Sequence, residues 1–240
     1  MDLINGTVTV KGICFDKDGT LFDFAATWEA WAKALLLRLT EGDPARAHML
    51  GALIGFDLTA CKFAQDSLVI AGTAGEVADV LAPHVSRLSR DALLNMINDE
   101  AAHAPQQPAV PLRPLLEGFR SQGLALGVAT NDSEGPALSH LSAAGVVDLF
   151  DFIAGYDSGY GGKPAPGQLL AFAQAVNLHP SEIVMVGDST HDLHAGRAAG
   201  MRTIGVLTGP AGTEELAPFA DVVLRDIGEI PAWLGVQKAS

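Results

Sequence analysis

The sequence predicts an α/β protein: a parallel sheet with helices on both faces, plus an inserted all-helical section. Two observations carry this. From Leu112 onward, helical patterns alternate with short apolar strands (LALGVAT, FDFIAG, EIVMVG and MRTIGVL), and such strands fit a sheet covered on both faces. One further strand of the same kind, Ile13 to Phe15, is separated from these by about eighty residues of helical periodicity that end in a proline-rich joint, Pro105 to Pro114. The division expected is therefore residues 1–23 with 112–240 as the α/β core, and residues 24–111 as the helical insert.

Taken in order, GTVTVKGICFD reads as two short extended segments, the second a buried strand ending at Asp16. AATWEAWAKALLLRLTEG then has apolar residues at helical spacing and a glycine stop. DPARAHMLGALIG opens with an Asp cap and a first-turn proline. TAGEVADVLAPH and SRDALLNMINDEAAH start on Thr and Ser caps. After the joint come helix LRPLLEGFRSQG, strand LALGVAT, helix SEGPALSHLSAAG, strand FDFIAG, helix APGQLLAFAQAVN, strand EIVMVG, helix HDLHAGRAAG and strand MRTIGVL. DVVLRD reads as a last edge strand. Crossovers between parallel strands are right-handed, and ligands of such sheets sit beyond the carboxyl ends of the strands.

Composition narrows the classes of function. Hydrophobic residues make up 48% of the 240 and charged residues 18%, which fits a packed globule. No run approaches the roughly 20 apolar residues of a membrane-spanning helix. The first residues lack a basic start and a long apolar segment, and Cys14 and Cys61 make no disulfide framework, so a reducing cytoplasm is the expected setting. Fifteen Lys and Arg face 28 Asp and Glu, a net charge of −13, which disfavours nucleic acid and anionic membranes as partners. An anionic substrate would need positive charge assembled locally.

Asp16, Thr130 and Asp188 each follow the carboxyl end of an expected strand, and Lys163 follows another after a short loop. Asp16-Lys17-Asp18-Gly19-Thr20 sets two carboxylates two residues apart, on one side if extended backbone persists. One of such a pair can serve as nucleophile and the other as acid and base. The same residues also suit a loop with a capping Asp and a turn Gly. Asp-x-Asp-Gly-Thr arises by chance in roughly one chain in several hundred of this length, which favours chemistry. Gly187-Asp188-Ser189-Thr190-His191-Asp192 supplies a second acidic pair, although Asp188 fits a helix N-cap and Asp192 a first-turn acid. Strand-end carboxylates brought together form the all-oxygen site that magnesium prefers. Gly161-Gly162-Lys163-Pro164 holds the needed cation in a strand-to-helix loop. Thr130-Asn131 offers a hydroxyl and N–H groups for phosphate oxygens.

With these motifs in this order, DKDGTL, the Thr of VATND, the Lys of GGKPAP and the acids of GDSTHD, the chain resembles the haloacid dehalogenase superfamily, among its phosphoglycolate phosphatase-like members. The resemblance covers almost the whole chain. It implies a Rossmann-like core and a helical cap that closes over the site and selects substrate. It implies a magnesium-dependent phosphatase acting on a small phosphorylated metabolite through an aspartyl phosphate. Asp16 would be the nucleophile, Asp18 the acid and base, and Thr130 and Lys163 would bind the transferring phosphoryl group. Asp16, the main-chain carbonyl of Asp18 and Asp188 would hold the metal, with Asp192 in support. Gly19, Thr20, Asn131 and Trp28 are the further expected substrate contacts, and 2-phosphoglycolate is the leading substrate. Lys33, Arg46 and Lys62 are candidate anchors for a substrate carboxylate, each competing with an ordinary surface role. Alternatives are a sugar phosphomutase, a phosphonoacetaldehyde-type hydrolase using Lys33 or Lys62, and a non-catalytic phosphate-binding module. Lys17, where many relatives carry an apolar residue, and Phe24, where many carry Ser, depart from the family pattern.

Overall fold

The computed structural model describes residues 9–239. The first of the two expected N-terminal extended segments lies largely outside this range. Strands β1 (Gly12–Phe15), β4 (Ala125–Ala129), β5 (Phe152–Ala154), β6 (Ile183–Gly187), β7 (Arg202–Val206) and β8 (Val222–Leu224) form one parallel sheet in the order β5-β4-β1-β6-β7-β8. The chain builds outward from β1 through β4 to β5, then crosses back to β6 on the other side. That reversal puts the topological switch point at the end of β1, between β4 and β6, where open parallel sheets leave a crevice.

Period two sorts the strand side chains onto the two faces. Ile13, Phe15, Val184 and Val186 join Leu116 of α6 (Leu112–Ser121) in one apolar layer. Cys14, Ile183 and Met185 join Phe172 of α8 (Gly167–Ala175) and Ala195 of α9 (Thr190–Ala199) in the other. Burying each large apolar side chain contributes about 1.5–3 kcal/mol. The strands can therefore be apolar throughout.

The insert has a separate apolar cluster built on α1 (Phe24–Leu39), α2 (Pro44–Leu53), α4 (Ala74–Leu81) and α5 (Arg90–Ala102). Asp23 caps α1 by accepting from the Ala26 N–H, and Asp43 caps α2 from the N–H groups of Ala45 and Arg46. Two connecting segments zip the insert to the core. The Asp23 N–H donates to Gln107 O at 2.8 Å, and the Ala109 N–H to Leu21 O at 2.9 Å. The insert differs from the wholly helical expectation in one place: β2 (Phe56–Asp57) and β3 (Lys62–Phe63) pair as a short antiparallel ladder. Their two-residue length carries no sequence periodicity. The short helices α3 (Leu68–Ala71) and α10 (Thr213–Leu216), and the last helix α11 (Ile230–Ala239), were also not legible as separate elements. Among the described residues, no helix is long and apolar enough to cross a membrane.

Candidate active site

The carboxyl end of the sheet brings four distant segments together. Asp16 leaves β1 with its N–H on Val186 O at 2.8 Å, and Thr130 leaves β4 with its N–H on Ala154 O at 3.0 Å. Asp188 follows β6 directly, and Lys163 reaches in from the loop between β5 and α8. Lys163 Nζ lies 2.6 Å from Asp16 Oδ1 and 2.6 Å from Asp192 Oδ1. Asp16, Asp188 and Asp192 are all buried, and each offers an oxygen within 4.8 Å of the others. Three buried carboxylates thus lie beside one ammonium, which pairs directly with Asp16 and Asp192. Burial first, then repulsion among the acids, pushes the Asp16 carboxyl up to about 7 against the pull of Lys163. Asp188 is raised well above the usual carboxylate range for the same reasons. Burial alone would lower Lys163, but Asp16 and Asp192 outweigh it and hold the ammonium charged.

An excess of buried, desolvated carboxylate oxygen over cation is the arrangement that a divalent hard ion relieves. The donor set therefore fits magnesium. Asp16 and Asp188 have oxygens available to such an ion. Asp192 offers an oxygen as well, but it is more tightly held: its Oδ1 meets Lys163, and its Oδ2 accepts from the Ser189 N–H at 3.1 Å and from the Ser189 hydroxyl at 2.7 Å. Its geometry is that of a strut beneath Lys163, and the capping box that fixes it also starts α9.

Two glycines let the backbone close around Asp188. Gly19 has φ +81°, and a Cβ there would fall 2.3 Å from Asp188 Oδ2. A Cβ on Gly209 would fall 1.7 Å from the same oxygen. Thr20 is fully buried, with its hydroxyl 3.5 Å from Asp188 Oδ1, and Thr208 Oγ1 donates to Gly19 O at 2.5 Å. Gly19 and Thr20, expected on the substrate, thus pack against Asp188 and are not on the cavity wall. Asn131 does line the cavity, but its side chain is occupied by the backbone. Its Nδ2 donates to Ala71 O and Lys163 O, and its Oδ1 accepts from the Lys163 N–H. It ties the lysine loop to the insert.

A cavity of about 60 Å³ lies between core and insert, lined by Asp16, Asp18, Thr130, Lys163 and Asp188 below and by Phe24, Trp28, Trp31 and Ile97 above. The two tryptophans meet edge to face at 5.1 Å, and Trp31 Nε1 donates to Ile97 O. Lys33, Arg46 and Lys62 are exposed and absent from the wall, and Lys62 is paired with Glu29. His191 lines the cavity, whereas His194 stacks on Phe219.

Lys17 is the largest surprise. It is fully buried, with Nζ 2.7 Å from Asp18 Oδ1, 3.3 Å from Asp132 Oδ2 and 3.0 Å from His140 Nδ1. Burial alone would lower its pKa, but Asp18 and Asp132 outweigh it and raise it. Sequence reasoning passed over Asp132, His140 and Gly209. Asp132 and Gly209 each lie within three residues of a strand's carboxyl end, a usable signal; His140 sits in mid-helix and gave none.

Residues 10–200 match the family described as haloacid dehalogenase-like hydrolase. The chain is 30% identical over 231 residues to a phosphoglycolate phosphatase of Rhodospirillum rubrum, covering 94% of this chain and 91% of the relative. It is 32% identical over 224 residues to a phosphoglycolate phosphatase of Chromobacterium violaceum, covering 92% and 95%. Its fold is similar to the crystal structure of a predicted phosphoglycolate phosphatase from Haemophilus somnus 129PT, with a TM-score of 0.73 at 20% identity over 93% of this chain and 97% of that one. With its strand-end acids and lysine assembled at the switch point of the sheet, the chain belongs to the haloacid dehalogenase-like hydrolases, as an enzyme of the phosphatase kind.

Proposed function

We propose that this enzyme hydrolyses a small phosphate monoester in two steps, with Asp16 as the nucleophile and magnesium as the cofactor. The observation that carries the reading is the contact of Asp16 with Lys163 at 2.6 Å, inside a buried acidic cluster facing the cavity between core and insert. In the first step Asp16 attacks phosphorus, and the bond to the ester oxygen breaks as Asp18 gives that oxygen a proton. In the second, Asp18 takes a proton from water as the water attacks phospho-Asp16. The Asp16–phosphorus bond breaks and inorganic phosphate leaves. Lys163 and the Thr130 hydroxyl hold the phosphoryl oxygens, where fixed charge contributes most to such transfers. Asp16, the Asp18 carbonyl and Asp188 would hold magnesium, which supplies charge neutralisation at the phosphoryl group when bound.

Residues 24–111 act in this reading as a cap that excludes water and selects the ester. The relatives' names bring 2-phosphoglycolate forward as the first substrate to try. A second reading rests on the wall itself. Phe24, Trp28, Trp31, Val69, Val77 and Ile97 are apolar, and Lys163, the one Lys or Arg lining the cavity among the described residues, is already paired twice with acids. Such a wall favours an ester of an uncharged, apolar alcohol. Among the described residues no lysine lines the cavity on the cap side, so imine chemistry has no support there. The two free cysteines suit a reducing cytoplasm.

Phosphate release across a panel of esters tests the whole reading. Turnover is expected with magnesium and is expected to collapse in a folded Asp16→Asn protein, because an amide is no anionic nucleophile. Near-normal turnover by that variant overturns covalent catalysis. A preference within the panel for 2-phosphoglycolate over propyl phosphate, or the reverse, decides between the two substrates.

A further inference from the structure

We propose that Lys17, clamped by Asp132 and His140, is a positioning residue that holds the Asp18 carboxylate where it can exchange protons with the substrate. The proposal rests on the assignment of Asp18 as the acid and base.

An ammonium with no exposed surface is costly unless its charge and donors are satisfied. Lys17 Nζ hydrogen-bonds to Asp18 Oδ1 and His140 Nδ1, and Asp132 Oδ2 completes the set as an ion-pair partner at 3.3 Å. The histidine tautomer follows from its other contact. His140 Nε2 lies 2.7 Å from Ala101 O, and a carbonyl can only accept, so the proton is on Nε2 and Nδ1 is bare. Burial first, then the Lys17 charge, lowers the His140 pKa to about 4, which keeps the ring neutral and Nδ1 accepting. Asp132 is fixed in turn, since its Oδ1 accepts from the Ser133 N–H and its own N–H donates to Thr130 Oγ1. Trp28 closes the remaining side, with its ring centroid 5.6 Å from Nζ.

This clamp draws on separate parts of the fold. Lys17 comes from the loop after β1, Asp132 from the end of β4, and His140 from α7 (Glu134–Ala143). Trp28 belongs to α1 and Ala101 to α5, both in the insert. Asp18 itself accepts from Lys17 through one oxygen and lines the cavity with Asp16 and Thr130. Among the described residues Lys17 is the side chain that holds the Asp18 carboxylate, and misplacement by an ångström can cost a proton transfer about 100-fold.

The experiment is a double-mutant cycle of Lys17→Met and Asp18→Asn, read with propyl phosphate and nitrophenyl phosphate as substrates. Asp18→Asn alone tests the underlying assignment: it should lower turnover on the alkyl ester more than on the activated one. Lys17→Met should lower kcat on propyl phosphate by about 10- to 100-fold, lower the rate of the first step on nitrophenyl phosphate less, and leave KM within about threefold. On the Asp18→Asn background it should do nothing further, because it acts through Asp18. Should Lys17→Met fail to fold, Lys17→Met/Asp132→Asn removes a buried charge of each sign and is read by the same comparison. A Lys17 variant with full activity, or losses that add to those of Asp18→Asn, overturns the clamp while leaving Asp18 its role. An Asp18→Asn protein without leaving-group dependence overturns the assignment and the clamp with it.

Discussion

The side chains that decide this site are short and closely held, so single atoms have large effects. Lys163 sits 2.6 Å from two carboxylates, and in the proposed reaction its charge faces the transferring phosphoryl group. Lys163→Ala should lower kcat by about 10²- to 10³-fold, the scale seen when one preorganised charge or donor is lost. Steady-state kinetics that show a change in KM alone would reduce Lys163 to a binding residue. Gly209 offers a more local probe. A Cβ there would lie 1.7 Å from Asp188 Oδ2, so Gly209→Ala must displace that carboxylate. The expected result is a folded protein with weaker magnesium affinity and a turnover lowered about 10-fold or more. Unchanged metal titration would show that Asp188 can move without consequence.

At the scale of elements, helices and strands do different work. The strands end in register at the switch point and aim Asp16, Thr130 and Asp188 into one crevice, while α1, α3, α4 and α5 supply an apolar roof. Ile70 of α3 lies on that roof and is only partly buried, so it tolerates a long polar side chain better than Val77 would. Ile70→Lys places an ammonium opposite the reacting groups. It should raise kcat/KM for 2-phosphoglycolate relative to propyl phosphate by about 10-fold, the value of one well-placed charge contact. An unchanged ratio would mean that the substrate body does not reach α3. Trp28→Ala should also alter the substrate profile, though through two routes, since Trp28 both lines the cavity and covers Lys17.

The whole molecule carries a net charge of −13, and three of its acids, Asp16, Asp188 and Asp192, are buried together. Burial and the neighbouring acids push the Asp16 carboxyl up to about 7, from a reference of 3.8. A carboxyl raised in the fold stabilises it fully below its unfolded pKa, and that contribution is lost as pH rises through 7. Magnesium should replace the lost contribution, and at lower pH it must first displace protons. Magnesium should therefore raise Tm by about 5 °C or more at pH 8 and by much less at pH 5.5. Differential scanning calorimetry checks this, with Asp188→Asn expected to abolish the shift. Equal shifts at both pH values would place the ion away from these carboxylates.

The sequence alone determined the alternation of strands and helices, the helical insert and the positions of Asp16, Thr130, Lys163 and Asp188 at strand ends. These are local properties: apolar runs, caps, and the residues that follow them. Tertiary structure decided what those residues touch. Nothing near Lys17 in the chain distinguishes a surface lysine from one held by His140, 123 residues away. Asp192, expected in support of the metal, is tied by Lys163 at one oxygen and by Ser189 at the other, which only the fold shows. Gly19 and Thr20, expected on the substrate, are set against Asp188 by the turn at Gly19. A carboxylate's role depends on which charges and donors the fold brings within about 3 Å, and chain order does not encode that distance.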